Sequence, residues 1–215
     1  MTKISLPDTV GPYCAEYTTP EMPVLAALNR ETNMKVHGAV MISGHMQGMF
    51  LQMMSQAIRP KYILELGTFT GYSAICLAQG LQPGGLLHTI DVDEELEDMA
   101  VRYFEEAGLK DKIVTHIGKA AEIIPALKET FDLVFIDADK NNYDLYFDLV
   151  IDKLSQGGFI LADNVLYEGD VLLPAEQQSK NARAMQRFND KIRADDRVEQ
   201  IMLPLRDGMM IIRKK

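Results

Sequence analysis

Short runs of consecutive apolar residues alternate along this chain with longer stretches whose apolar positions recur every three or four residues. A continuous apolar run bounded by turn residues reads as a strand buried on both faces, and the longer period reads as an amphipathic helix. The runs predict strands over Tyr62–Leu66, Leu86–Asp91, Ile113–His116, Leu133–Asp137, Gly158–Ala162, Glu199–Pro204 and Met209–Arg213. Helices are predicted over Pro23–Thr32, Ser43–Ile58, Tyr72–Gln79, Glu94–Ala107, Ala120–Lys128, Tyr143–Leu154 and Asn181–Ala194. Glu94–Ala107 carries acids in its first turn and stops at Gly108, as the helix dipole and C-cap favour. Leu205-Arg206-Asp207-Gly208 reads as a hairpin turn, so the last strand should return antiparallel. Strand and helix in alternation imply an α/β fold built on an open, mostly parallel sheet. Seven strands set it apart from the usual six-stranded dinucleotide fold.

Composition narrows this picture little. With 215 residues, one domain is expected, residues 1–58 forming an N-terminal helical cap and residues 59–215 the core. No apolar run approaches the roughly 18–20 residues of a membrane span, and Met1–Gly11 lacks the pattern of a secretory signal. Cys14 and Cys76 are the only cysteines, which favours a reducing, cytoplasmic setting over a disulfide framework. The formal charge of −9 speaks against a large polyanionic partner. Thirteen methionines, many between Met34 and Met54, read as core filling. His37, His45, His88 and His116 show no ligand spacing; His45 could lie near the mouth of a site.

Chemistry concentrates at the ends of the apolar runs. Asp137-Ala138-Asp139-Lys140 follows Leu133-Val134-Phe135-Ile136, and Asp163-Asn164 follows Gly158-Phe159-Ile160-Leu161. Residues just past the carboxyl ends of neighbouring parallel strands converge on one crevice. Two carboxylates and an amide oxygen there form a half-shell for a hard cation such as Mg²⁺. Each cluster alone reads equally well as a helix N-cap or an Asx turn. Glu65-Leu66-Gly67-Thr68-Phe69-Thr70-Gly71-Tyr72-Ser73 is a glycine turn leading into a helix. It lacks the middle glycine of the dinucleotide fingerprint, and Glu65 would repel a pyrophosphate. A nucleoside carrying a cationic group, such as S-adenosylmethionine, suits it better. Asp91 ends the next strand, where a carboxylate can accept both ribose hydroxyls; Asp93 is left to cap the helix behind it.

On these residues the chain resembles the cation-dependent O-methyltransferases, the caffeoyl-coenzyme A and catechol O-methyltransferase family. The similarity runs from Pro20 to the C-terminus. It is carried by Glu65–Ser73, Asp137–Lys140, Asp163–Leu166 and Asp207-Gly208. The resemblance implies a Rossmann-like S-adenosylmethionine-dependent methyltransferase domain, with a seven-stranded, mostly parallel sheet and helices on both faces. It implies that Glu65, Gly67, Thr68, Ser73, Asp91 and Ala120 line the S-adenosylmethionine pocket, completed by Ser43, Asp137 and Asp139. Asp137, Asp163 and Asn164 would hold the cation, with Mg²⁺ first and Ca²⁺ or Mn²⁺ as alternatives. Lys140 is the candidate base, and relatives are commonly homodimers. Two departures fall near the expected acceptor pocket: Tyr167 stands where many bacterial relatives have Trp, and Arg206 where the hairpin often has a small residue.

The expected activity is methylation of one hydroxyl of a small ortho-dihydroxy aromatic, of catechol or caffeoyl type. The loop Asn164–Gln178 is apolar enough to cover a bound ring or to pack on a second subunit. The alternative within the family is a tRNA hydroxyuridine O-methyltransferase. Lys180, Arg183, Arg187, Lys191 and Arg193 fall along one helix and could form the basic patch it needs. A nicotinamide oxidoreductase is disfavoured by Glu65 and the missing glycine. A catalytically silent S-adenosylmethionine binder is disfavoured by Lys140 beside an intact acidic cluster.

Overall fold

A computed structural model describes residues 10–215; the portions of the expected helical cap and N-terminal segment in residues 1–9 lie outside the described residues. The strands are β1 Tyr62–Leu66, β2 Leu86–Asp91, β3 Ile113–Ile117, β4 Phe131–Ile136, β5 Leu154–Asp163, β6 Val198–Leu203 and β7 Met209–Lys214. They form one sheet in the order β3-β2-β1-β4-β5-β7-β6. β1 to β5 pair in parallel, and β7 runs antiparallel to both β5 and β6. The strand order reverses between β1 and β4, which opens a crevice beyond their carboxyl ends.

Both faces of the sheet are covered, which is why its central strands read as continuous apolar runs. Helices α2 (Pro23–Lys35), α3 (Gly44–Ile58), α4 (Tyr72–Ala78) and α5 (Glu97–Glu106) pack one face, through Leu28, Leu51, Ile75 and Phe104 against Ile63, Leu133 and Phe135. Helices α6 (Ala120–Ile123), α7 (Tyr143–Ile151) and α8 (Lys180–Ala194) pack the other, through Ala120, Phe147 and Phe188 against Leu64, Val134 and Ile160. Glycines set the closeness of α3 to α4. A Cβ on Gly48 would lie 2.6 Å from Tyr72 Cε1, and one on Gly80 would lie 2.2 Å from the Ser55 backbone.

Several expected boundaries move. Pro125 stops the helix expected over Ala120–Lys128 after one turn, and Ile124–Ala126 continues as 3₁₀. The expected Tyr143–Leu154 helix ends at Ile151, because Leu154 already belongs to β5, longer than the expected Gly158–Ala162. The expected Glu94–Ala107 helix begins as a 3₁₀ turn, Glu94–Leu96, before α5. A first helix α1, Val10–Glu16, buries no residue and left no apolar stripe to read. Among the described residues no helix is long and apolar enough to cross a membrane.

Candidate active site

The crevice at the β1–β4 reversal is a cavity of about 1180 Å³. Its wall includes Ser43, Gly67, Thr68, Ser73, Asp91, Ala120, Asp137, Asp139, Lys140, Asp163 and Asn164, so all but one of the expected site residues meet there. The exception is Glu65, fully buried behind the wall. His45 does not line the cavity either; its Nε2 lies 2.7 Å from the Thr19 carbonyl oxygen.

Backbone geometry brings the glycine turn against the acidic loop. Gly67 has φ +97°, and a Cβ there would stand 1.9 Å from the Asp137 carbonyl oxygen. Only glycine permits that approach. Gly67 N–H donates to Ile90 O at 2.9 Å, and Asp137 N–H donates to Leu66 O at 2.9 Å, which ties the turn to both neighbouring strands. Phe69, at φ +48°, donates its N–H to Asp91 Oδ2 at 2.8 Å. Asp93 takes the capping role, accepting from Glu95 N–H at 3.0 Å, so Asp91 stays on the wall.

Behind the turn, Thr89 donates to Glu65 Oε2 at 2.6 Å, while Glu65 Oε1 is buried with no hydrogen-bond partner. Burial pushes the Glu65 carboxyl up to about 8; the nearby hydroxyls of Ser73 and Thr89 oppose this, and the charges of Asp137 and Asp91 add to it. An unpartnered buried carboxylate oxygen beside a glycine turn fits a cationic amino group better than a phosphate.

Asp137, Asp163 and Asn164 meet on the far side. Asp163 is 3% exposed; its Oδ2 accepts from Gln47 Nε2 at 2.6 Å and its Oδ1 from Asn164 N–H at 2.7 Å. Asn164, at φ +58°, donates Nδ2–H to Asp207 Oδ2 at 3.2 Å, which assigns its other amide atom as an oxygen acceptor. Burial and the nearby Asp137 charge push Asp163 up to about 6, against the bonds from Gln47 and Asn164. A buried carboxylate with a second carboxylate near it and an amide oxygen beside them suits a hard cation. The set holds only two acids: among the described residues no cluster of three or more His, Cys, Asp or Glu could hold a metal.

Lys140 Nζ donates to Asp137 Oδ1 at 2.8 Å and to Tyr143 Oη at 3.0 Å. Burial alone would lower its pKa, but Tyr143 and Asp137 outweigh burial and raise it. Lys140 therefore stands as an ammonium. The N-cap alternative holds for Asp139, whose carboxylate accepts from Asn141 N–H and from Asn142 Nδ2. Of the loop expected to cover a ring, Val165 and Val171 join the core and Leu172 is 81% exposed; Tyr167 and Glu168 line the cavity. Tyr167 Oη accepts from Asn181 Nδ2 at 2.7 Å. On α8, Arg187, Lys191 and Arg193 pair with Asp144, Asp148 and Asp190.

Sequence reasoning missed Gln47 and the reach of Arg206. Gln47 is a fully buried amide on the core-facing side of α3, and that polar break in an apolar face was its available signal.

Comparison with known proteins agrees with this geometry. Residues 15–215 match the family model described as O-methyltransferase. A probable caffeoyl-CoA O-methyltransferase 1 of Dictyostelium discoideum is 30% identical over 217 residues, covering 99% of this chain and 94% of that protein. Caffeoyl-CoA O-methyltransferase 1 of Eucalyptus globulus is 34% identical over 195 residues, covering 86% and 79%. The crystal structure of an O-methyltransferase from Bacillus cereus in complex with SAH superposes with a TM-score of 0.85 at 31% identity, covering 96% of this chain and 97% of that one. The match of residues 15–215 to that model, with these relatives at 30% and 34% identity, therefore places this chain in the O-methyltransferase family, among relatives of caffeoyl-CoA type.

Proposed function

We propose that the protein transfers a methyl group from S-adenosylmethionine to one hydroxyl of a small ortho-dihydroxy aromatic, with a divalent cation at Asp137, Asp163 and Asn164. The observation that carries this reading is the convergence of those three side chains in the cavity that the Gly67 turn also lines. Glu65 and the turn hold the amino-acid end of the methyl donor, and Asp91 its ribose. Asp137, Asp163 and Asn164 would hold the cation, whose charge would lower the pKa of a phenol from its ordinary value of about 10 and would weaken the hold of Asp137 on Lys140. Lys140, after giving up its own proton to solvent, accepts the hydroxyl proton at Nζ. Tyr167, held by Asn181, and Tyr146 flank the acceptor space and exclude water.

The rim supports a small acceptor rather than a polyanion. Asp139, Glu168 and Asp207 line the cavity together with Arg206, whose Nη1 is already engaged with Gln47 and two backbone carbonyls. The ion pairs along α8 likewise weigh against a tRNA substrate. The test compares methyl incorporation into catechol, a caffeoyl thioester of coenzyme A and tRNA. Turnover of catechol or of the caffeoyl thioester above that of tRNA supports the proposal, and preferential methylation of tRNA overturns it.

A further inference from the structure

A hydrogen-bond relay, buried at Gln47 and Asp163, connects the hairpin to the proposed cation shell. Arg206 Nη1 donates to Gln47 Oε1 at 3.1 Å, and Gln47 Nε2 donates to Asp163 Oδ2 at 2.6 Å. The direction is forced by chemistry. A guanidinium can only donate, so Gln47 must turn its amide oxygen to Arg206 and is left with its NH₂ group for the carboxylate. The same Arg206 nitrogen holds the carbonyl oxygens of Ile42, at 3.1 Å, and Ser43, the two residues that lead into α3. Gln47 is fully buried, and Gly48 beside it lets α3 sit close against Tyr72 and Cys76 of α4. A buried amide in an apolar helix face costs free energy unless it is paired, so this placement needs a compensating role.

We infer that Gln47 is a positioning residue for the cation site: it fixes the Asp163 carboxylate toward Asp137 and Asn164, and Arg206 acts through it by fixing its amide. The inference rests on the proposed cation dependence. Asp163 is then held at both oxygens, by Gln47 on one side and by the Asn164 N–H on the other. Partners that orient a metal-ligating carboxylate typically contribute 10–100-fold in metal affinity. The relay also ties the position of the α3 start, which lines the cavity at Ser43, to the geometry of the cation shell.

Calorimetric titration of Mg²⁺ into the full chain tests this, with S-adenosylhomocysteine affinity as the control for folding. Gln47→Leu is expected to weaken Mg²⁺ binding by about 10–100-fold and to leave S-adenosylhomocysteine binding unchanged. Arg206→Ala, at an exposed position, is expected to weaken Mg²⁺ binding less, and Arg206→Lys to restore part of the loss. In a double-mutant cycle, Arg206→Ala should add little once Gln47 is Leu. Mg²⁺ affinity in Gln47→Leu within about twofold of the parent overturns the inference alone, as does an equal Arg206→Ala loss in both backgrounds. Absence of Mg²⁺ binding by the parent chain overturns the cation-dependent reading together with it.

Discussion

Glu65 shows how burial can turn an ordinary side chain into a selective one. Its folded pKa of about 8 stands well above the 4.5 of a free glutamate. Between those values the folded chain binds more protons than the unfolded chain, so ligand-free stability falls as pH rises through that window. A cationic amine placed beside Glu65 reverses the preference and favours the carboxylate. Binding of S-adenosylhomocysteine near pH 7 should therefore release close to one proton, read from calorimetry in buffers of different ionisation enthalpy. Glu65→Gln should abolish the release; an unchanged release would assign the proton elsewhere. Lys140→Ala should lower kcat by about 100-fold or more while changing S-adenosylmethionine affinity little. Equal losses in both would contradict a role in proton transfer. The chemistry of these residues was legible in the sequence because acids at strand ends, a lysine three residues on and a glycine turn are local patterns. The ionisation state of Lys140 was not, because it depends on Tyr143 and Asp137 together in space.

At the scale of elements, the turn after β1 is the part least able to change. Gly67 combines a positive φ with a backbone contact that a methyl group would fill. Gly67→Ala should cost at least about 2 kcal/mol, from the strained conformation and the clash with Asp137 O. A denaturant midpoint equal to that of the parent would show that the turn can relax. Strands β1, β2 and β4 were readable because burial on both faces leaves a continuous apolar run. Boundaries drifted where local rules competed. Pro125 cut α6 short, and β5 extends back through Ser155-Gln156-Gly157, polar and glycine positions that look like a turn in sequence. In the segment after Asn164, Val165 and Val171 are apolar because they feed the core, while Tyr167 lines the cavity.

Across the whole molecule, the order β3-β2-β1-β4-β5-β7-β6 puts the Gly67 turn and the Asp137 loop side by side, and Asp163 one strand further on. The alternation of strands and helices, with the Asp207-Gly208 hairpin, was enough to read a seven-stranded, mostly parallel sheet with an antiparallel last strand, but not the strand order. Contacts across great separation were not readable. Gln47 and Asp163 lie 116 positions apart, and Arg206 and Ser43 lie 163 apart. The sheet thus supplies the methyl-donor pocket and the two acids, while the helices ahead of β1 supply the support on Asp163. The most direct test of this account is the rate of methyl transfer from S-adenosylmethionine to catechol by metal-stripped protein, before and after Mg²⁺ is restored. The account predicts turnover that vanishes on chelation, returns with Mg²⁺ and stays absent in Asp163→Ala. Turnover indifferent to chelator, or retained in Asp163→Ala, would contradict it.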